Sequence, residues 1–196
     1  MSKQTKTVIE YYPDGQKQSE IWFQDGYYHR DGGKPARIFY YSSGQKRSEE
    51  WFQDGELHRD NDLPAIVDYC PDGQVKCEAW FQDGECHFKE YSPDGGTECE
   101  AWIRDGKRHR DGDKPAVIYY YPGGQVKYEG WWQNGKLHRD GDLPASVDYY
   151  PDGLVKYEAW FQDGVCHRDG GKPASVYYRP DGQVKYEAAA EQKNSL

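Results

Sequence analysis

Methionine occurs once and cysteine five times in 196 residues, and no apolar run approaches the roughly 20 residues that a bilayer-crossing helix needs. The cysteines, Cys70, Cys77, Cys86, Cys99 and Cys166, are odd in number and show no Cys-x-x-Cys spacing. That pattern supports neither a disulfide framework nor a zinc site. Positive charge is also scarce. Lys and Arg total 25 against 34 Asp and Glu, a net charge of −9. Such a field disfavours sequence-independent binding to nucleic acid or anionic lipid. The first residues, Met1 to Thr7, are polar and have no apolar signal-peptide core. The expectation is a cytoplasmic chain whose thiols pack as small hydrophobes. Aliphatic residues are few, yet there are six Phe, seven Trp and eighteen Tyr. Disordered chains lack aromatics, so these sequences predict a folded protein in which Tyr and Trp supply the apolar area.

What is present is a repeat of 29 residues. Its turn triplet recurs at Pro13-Asp14-Gly15, Pro71-Asp72-Gly73, Pro151-Asp152-Gly153 and Pro180-Asp181-Gly182, with degenerate forms at Ser42-Ser43-Gly44 and Pro122-Gly123-Gly124. A Trp-aromatic pair follows the turn (Trp102-Ile103 in one copy), then His-Arg-Asp and Pro-Ala. The copies run 13–41, 42–70, 71–92, 93–121, 122–150 and 151–179, with a half copy and polar tail over 180–196. Copy three is short because it lacks the seven-residue Arg-Asp-Gly-x-x-Pro-Ala block after His87. Repeats of this period predict a stacked array in which no unit buries its apolar face alone.

Periodicity within a copy is two, so the elements are strands. In 154–162, Val155, Tyr157, Ala159 and Phe161 share one face, opposite Lys156, Glu158, Trp160 and Gln162. Before each turn two positions are nearly fixed, as in Ile38 and Tyr40 or Val147 and Tyr149. The positions between vary, as at Arg37, Ile66, Val117 and Ser146. The fixed face is expected to pack and the variable face to meet solvent or a partner. Two Gly turns per copy reverse the chain twice. The predicted fold is all-β, an elongated array of consecutive antiparallel hairpins in a single repeat domain spanning 1–196. Ala188-Ala189-Ala190 and the polar tail, replacing the aromatic pair, read as a cap.

Several constellations invite chemistry. His-Arg-Asp shares its letters with a kinase catalytic loop, but the phosphate loop, strand lysine and Asp-Phe-Gly that kinase chemistry needs are absent from the sequence. The column His29, His58, His87, His109, His138 and His167 repeats at about 10 Å, too far for ligands to converge on one metal. Its rings are expected to pack at hairpin ends, bonded to neighbouring backbone. Asp60-Asn61-Asp62 and its equivalents read as turn residues rather than calcium ligands. Column glutamates such as Glu49 and Glu129 are expected in exposed cross-strand ion pairs with Lys or Arg. The tryptophan column reads as mostly core. No catalytic residue, metal or cofactor is assigned.

The segment Tyr128-Glu129-Gly130-Trp131-Trp132-Gln133-Asn134-Gly135-Lys136-Leu137-His138 resembles the MORN repeat. Tyr128, Glu129, Gly130, Trp132, Asn134, Gly135, Lys136 and His138 match its pattern, and the 22-residue copy three is near the usual MORN length. The other copies look like MORN-type units of a variant type, with an inserted His-Arg-Asp-Gly-x-x-Pro-Ala block in which Arg replaces the family's Gly after His. The likeness is closer to variant MORN proteins of bacteria and viruses, some of them antitoxin components. The resemblance implies an elongated β array used for protein contacts or membrane-proximal scaffolding, without catalysis.

The functional expectation is a non-enzymatic interaction module, with an antitoxin-like or inhibitory binder as its specific form. A carbohydrate-binding aromatic array and a peripheral membrane scaffold are the alternatives. Expected partners are protein, with self-association as a variant, and not nucleic acid or membrane. The contact surface is either the variable strand face or the row of inserted blocks. Candidate partner-binding residues are Arg30, Arg59, Arg110, Arg139 and Arg168, with Asp111, Asp140 and Trp131. Internal pairing of Arg110 with Asp111 and of Arg139 with Asp140 is expected to be modest.

Overall fold

The computed structural model describes residues 3–189, and every regular element among them is a strand. The capping tail expected beyond Ala189 lies outside the described residues. The chain divides into two compact units, Met1–Gly95 and Gly96–Leu196.

The first unit contains β1 (Thr5–Tyr11), β2 (Lys17–Gln24), β3 (Tyr27–Tyr28), β4 (Arg37–Tyr40) and β5 (Lys46–Glu50). It continues with β6 (Phe52–Gln53), β7 (Glu56–Leu57), β8 (Ile66–Tyr69), β9 (Val75–Gln82) and β10 (Glu85–Tyr91). Its sheet runs β1-β2-β4-β5-β8-β9-β10, each strand antiparallel to the next. The second unit contains β11 (Thr97–Arg104), β12 (Lys107–Arg108), β13 (Val117–Tyr120), β14 (Val126–Gly130), β15 (Trp132–Gln133) and β16 (Lys136–Leu137). It ends with β17 (Ser146–Tyr149), β18 (Val155–Ala159), β19 (Phe161–Gln162), β20 (Val165–Cys166), β21 (Ser175–Tyr178) and β22 (Val184–Ala188). Its order is β11-β13-β14-β17-β18-β21-β22, again antiparallel throughout. The expected meander of consecutive hairpins is therefore present.

Two turn chemistries build it. At Pro13-Asp14-Gly15 the Gly15 N–H donates to the Tyr12 carbonyl, Tyr12 N–H donates to Gln16, and Gly15 has φ +84°. The register slips by a bulge beside this turn, between Glu10 and Tyr11. At the second turn both central residues take positive φ, as in Asp54 at 52° and Gly55 at 87°. That is the type I′ geometry that matches strand twist.

The sequence reads the post-turn segment as one strand. In copies two, five and six it is two, because Trp51, Trp131 and Trp160 interrupt it. The Trp160 N–H donates to Ala174 at 2.9 Å, while its carbonyl accepts from His167 at 2.9 Å. Beyond the tryptophan the chain pairs with itself in a small separate hairpin, β19–β20.

The core lies on the fixed face. Ile38, Val67, Val147 and Val176 are buried there, with Trp51, Trp131, Trp160 and the alanines of each Pro-Ala pair. The expectation that the variable positions would meet solvent fails at Val117, Ser146 and Ser175, which are buried. Tyrosines from neighbouring strands lean across them. Tyr128 interacts with Ser146, and Tyr157 with Ser175. A Cβ at Gly130 would stand 2.6 Å from the Tyr128 hydroxyl and 2.8 Å from the Trp132 indole nitrogen.

Candidate functional site

The inserted blocks close over the core face. Each begins after the column histidine and carries two consecutive positive-φ residues, for example Gly112 (76°) and Asp113 (52°), or Gly141 (81°) and Asp142 (55°). The block folds back so that its arginine lies on its own copy's tryptophan. Arg30 sits 3.6 Å from the Trp22 ring centre, Arg59 3.7 Å from Trp51 and Arg110 3.4 Å from Trp102. Arg139 sits 3.8 Å from Trp131 and Arg168 3.7 Å from Trp160. The same guanidinium donates to the carbonyl of the block's proline, at 3.2 Å from Arg139 to Pro144 and 3.1 Å from Arg110 to Pro115. Burial lowers the Arg110 pKa from its ordinary value.

The arginine pairing differs from expectation. Arg139 binds both oxygens of Asp113, at 2.7 and 3.1 Å, and not Asp140. Arg168 likewise binds Asp142, at 2.7 Å, and Lys172 joins it at 2.6 Å. Asp111 is bonded by Arg104 and by His109 rather than by Arg110. The guanidinium stacked on tryptophan points toward the preceding block, so an adjacent aspartate is out of its line. Hydrogen bonds from Arg168 and Lys172 hold the Asp142 carboxyl down to about 2, and those from Arg104 and His109 do the same for Asp111. Arg139 lowers Asp113 in the same way.

The tryptophans connect successive blocks. The Trp51 indole N–H donates to Gly33, Trp131 to Asp113 and Trp160 to Asp142, 18 residues back in each case. The candidate Trp131 is thus only 7% exposed and has its polar edge engaged. The histidines follow the packed reading. Nε2 of His138 faces Asp140 at 3.1 Å, and Nδ1 accepts from the Asp163 N–H of the next copy's turn at 3.1 Å. His109 accepts similarly from Asn134 at 3.2 Å.

Most column glutamates have tyrosine partners, which the sequence reading missed. Tyr69 donates to Glu49 at 2.7 Å, Tyr149 to Glu129 at 2.7 Å and Tyr178 to Glu158 at 2.8 Å. Each tyrosine is one of the fixed positions before a turn, and register places it 20 residues after its glutamate. That constant offset was the available signal. Lysine joins Glu20 and Glu49, from Lys17 and Lys46. Glu49 is buried, so these are not exposed ion pairs. Burial first and the Glu158 bond second push Tyr178 up to about 12.

The opposite face is open and its composition changes along the chain. In the first unit a shallow cleft is lined by Arg37, Phe39, Arg47, Glu50, Asp68 and Lys76. Arg37 pairs with Glu50 at 3.0 Å there. In the second unit, cross-strand register forms one row from Tyr119, Tyr128, Asp148, Tyr157, Tyr177 and Tyr186. Tyr157 and Tyr177 have ring centres 4.3 Å apart, Tyr177 and Tyr186 4.2 Å, and Tyr119 and Tyr128 5.8 Å. Burial pushes Tyr157 up to about 12 and raises the Asp148 carboxyl. Burial with the nearby Asp68 carboxylate pushes the Cys77 thiol up to about 12.

Residues 4–25 match the MORN repeat variant family. No curated protein matches the chain. The matched segment is the β1–β2 hairpin, and the same strand–turn–strand unit recurs in both units. The chain carries MORN-like repeats.

Proposed function

We propose that the chain is a non-enzymatic protein-binding repeat that engages its partner through the open sheet face. The observation that carries this reading is the contrast between the two faces. On the core face, Arg110, Arg139, Arg168, Trp131 and the histidines are bound to one another and to backbone. On the open face, the side chains differ from copy to copy and exposed tyrosines such as Tyr119 and Tyr186 face outward. Tyrosine gives large, rigid, amphipathic contact area at low entropic cost, which suits protein recognition. MORN-like repeats are interaction modules, which fits this reading. The specific form we infer is an inhibitory, antitoxin-like binder acting in the cytoplasm.

The test is affinity capture from the native cell with the full chain and two variants. Tyr119→Ser with Tyr177→Ser alters the open face, and Lys114→Ala alters a block. A stoichiometric protein partner lost with the tyrosine pair and kept with Lys114→Ala supports the reading. Loss with Lys114→Ala alone would move the site to the blocks, and capture of glycan or lipid would move it to another class. Inhibition of the captured partner's activity by the pure chain would establish the antitoxin-like form.

A further inference from the structure

Asp148 is the only acidic residue in the tyrosine row of the second unit. Register sets it directly between Tyr128 on β14 and Tyr157 on β18. Adjacent strands lie about 4.8 Å apart, so Tyr128 and Tyr157 are its immediate cross-strand neighbours. No hydrogen bond or ion pair reaches that carboxylate among the described residues. It is only partly exposed. The nearest cations, Lys127 and Lys156, place their ammonium groups over Tyr121 at 5.9 Å and Tyr150 at 6.0 Å. They lend Asp148 a favourable field without bonding it.

Asp68 occupies the same place in the first unit and shows what is particular to Asp148. Its cross-strand neighbours are Ser48 and Cys77, and the Cys77 thiol donates to it at 3.4 Å. Asp148 has tyrosines in those two places, and their hydroxyls are engaged at Ser146 and Ser175 instead. A half-buried carboxylate without a partner is costly, and an incoming cation offsets that cost. Tyrosine faces attract the same cation.

We propose that Asp148, flanked by Tyr128 and Tyr157, receives a lysine or arginine side chain of a protein partner laid across the open face. This rests on the open-face reading above and adds the chemistry of the partner. The chain's charge of −9 favours a basic partner and speeds its encounter. The aromatic flank then gives one carboxylate an advantage over the many exposed ones.

Capped tetralysine peptide at low ionic strength is the probe, with binding followed by calorimetry on the full chain. Asp148→Asn keeps the shape and removes the charge, and should weaken binding by about tenfold. Asp140→Asn removes an exposed block carboxylate and should change it less than about twofold. Equal losses in the two variants would mean diffuse attraction to net charge and overturn the proposal. Unchanged binding in Asp148→Asn would also overturn it. A measurement on the unaltered chain needs no variant to fold. Carboxyl carbon NMR should show tetralysine lowering the Asp148 titration midpoint while leaving Asp140 in place, and the reverse pattern would contradict the assignment. A native partner that is lost with Tyr119→Ser and Tyr177→Ser but retained at full affinity by Asp148→Asn would overturn this inference alone. A chain that captures no protein at the open face would overturn both readings.

Discussion

The Arg139 guanidinium lies 3.8 Å from the centre of the Trp131 ring while its fork holds both oxygens of Asp113, 26 residues earlier. Stacking, chelation and a bond to the Pro144 carbonyl all use one planar group. A lysine ammonium is a point charge and cannot do all three. Arg139→Lys should therefore lose stability nearly as Arg139→Ala does, by about 2 kcal/mol, since cation–π and charged hydrogen bonds contribute on that order. For a chain of this size that lowers Tm by roughly 4–8 °C. Thermal unfolding followed by circular dichroism measures it. A lysine variant melting with the unaltered chain would show that the fork is dispensable.

Gly130 stands where the neighbouring copies have Ala79, Ala101 and Ala159. It is glycine because Tyr128 and the Trp132 indole close over it, at 2.6 and 2.8 Å from where a Cβ would be. Gly130→Ala should destabilise by about 1–3 kcal/mol through overpacking. Adding Trp132→Phe, the residue found in copy six as Phe161, should recover most of the loss. Denaturant midpoints of the single and double variants decide it. No recovery would place the cost at Tyr128 rather than at the Trp132 ring.

The tyrosine–glutamate column gives an alkaline limit to stability. Tyr120 and Tyr178 are pushed up to about 12, and Tyr69 and Tyr149 are raised as well. An unfolded phenol titrates near about 10. Their contribution is complete below about pH 10 and is lost as the pH rises toward about 12. At the acid end, Asp111 and Asp142 are held at about 2. Their contribution is present above about pH 4 and is lost as the pH falls toward about 2. Urea midpoints should therefore form a plateau that falls at both ends. A midpoint unchanged between about pH 9 and pH 12 would contradict the tyrosine assignment.

Copy three tests modularity. Its β9–β10 hairpin is uninterrupted, with Phe88 opposite Ala79, where copy five loops out residues 139–145 before Ser146 opposite Gly130. Trp80 there carries His87 as its stacking neighbour, at 5.1 Å. Inserting Arg-Asp-Gly-Asp-Leu-Pro-Ala between His87 and Phe88 should fold with an unchanged β spectrum, because it re-creates the geometry of copy five. Unfolding would make the short copy a required element.

The hairpins, the two turns per copy and the fixed core positions were legible because each is set within a few residues. The small hairpin after Trp160 was not, since alternation continues through the break at the tryptophan. The Arg139–Asp113 and Tyr149–Glu129 pairs were not legible for another reason. Both join residues 20 or more apart, and proximity in sequence favours the wrong neighbours, Asp140 for arginine and lysine for glutamate. Internal repetition does fix such offsets once one pair is known. The variability of the open face is visible in the sequence, but its tyrosine row emerges only when register aligns strands from four copies.

The account holds that the block face is structural closure and the open face is the binding face. Affinity of the captured partner for the folded Arg110→Ala, Arg139→Ala double variant, measured beside its melting temperature, tests that division most directly. The account predicts a melting temperature lowered by several degrees and a partner Kd within about threefold of the unaltered chain. An unaltered melting temperature with binding lost would contradict it and assign the site to the arginine blocks.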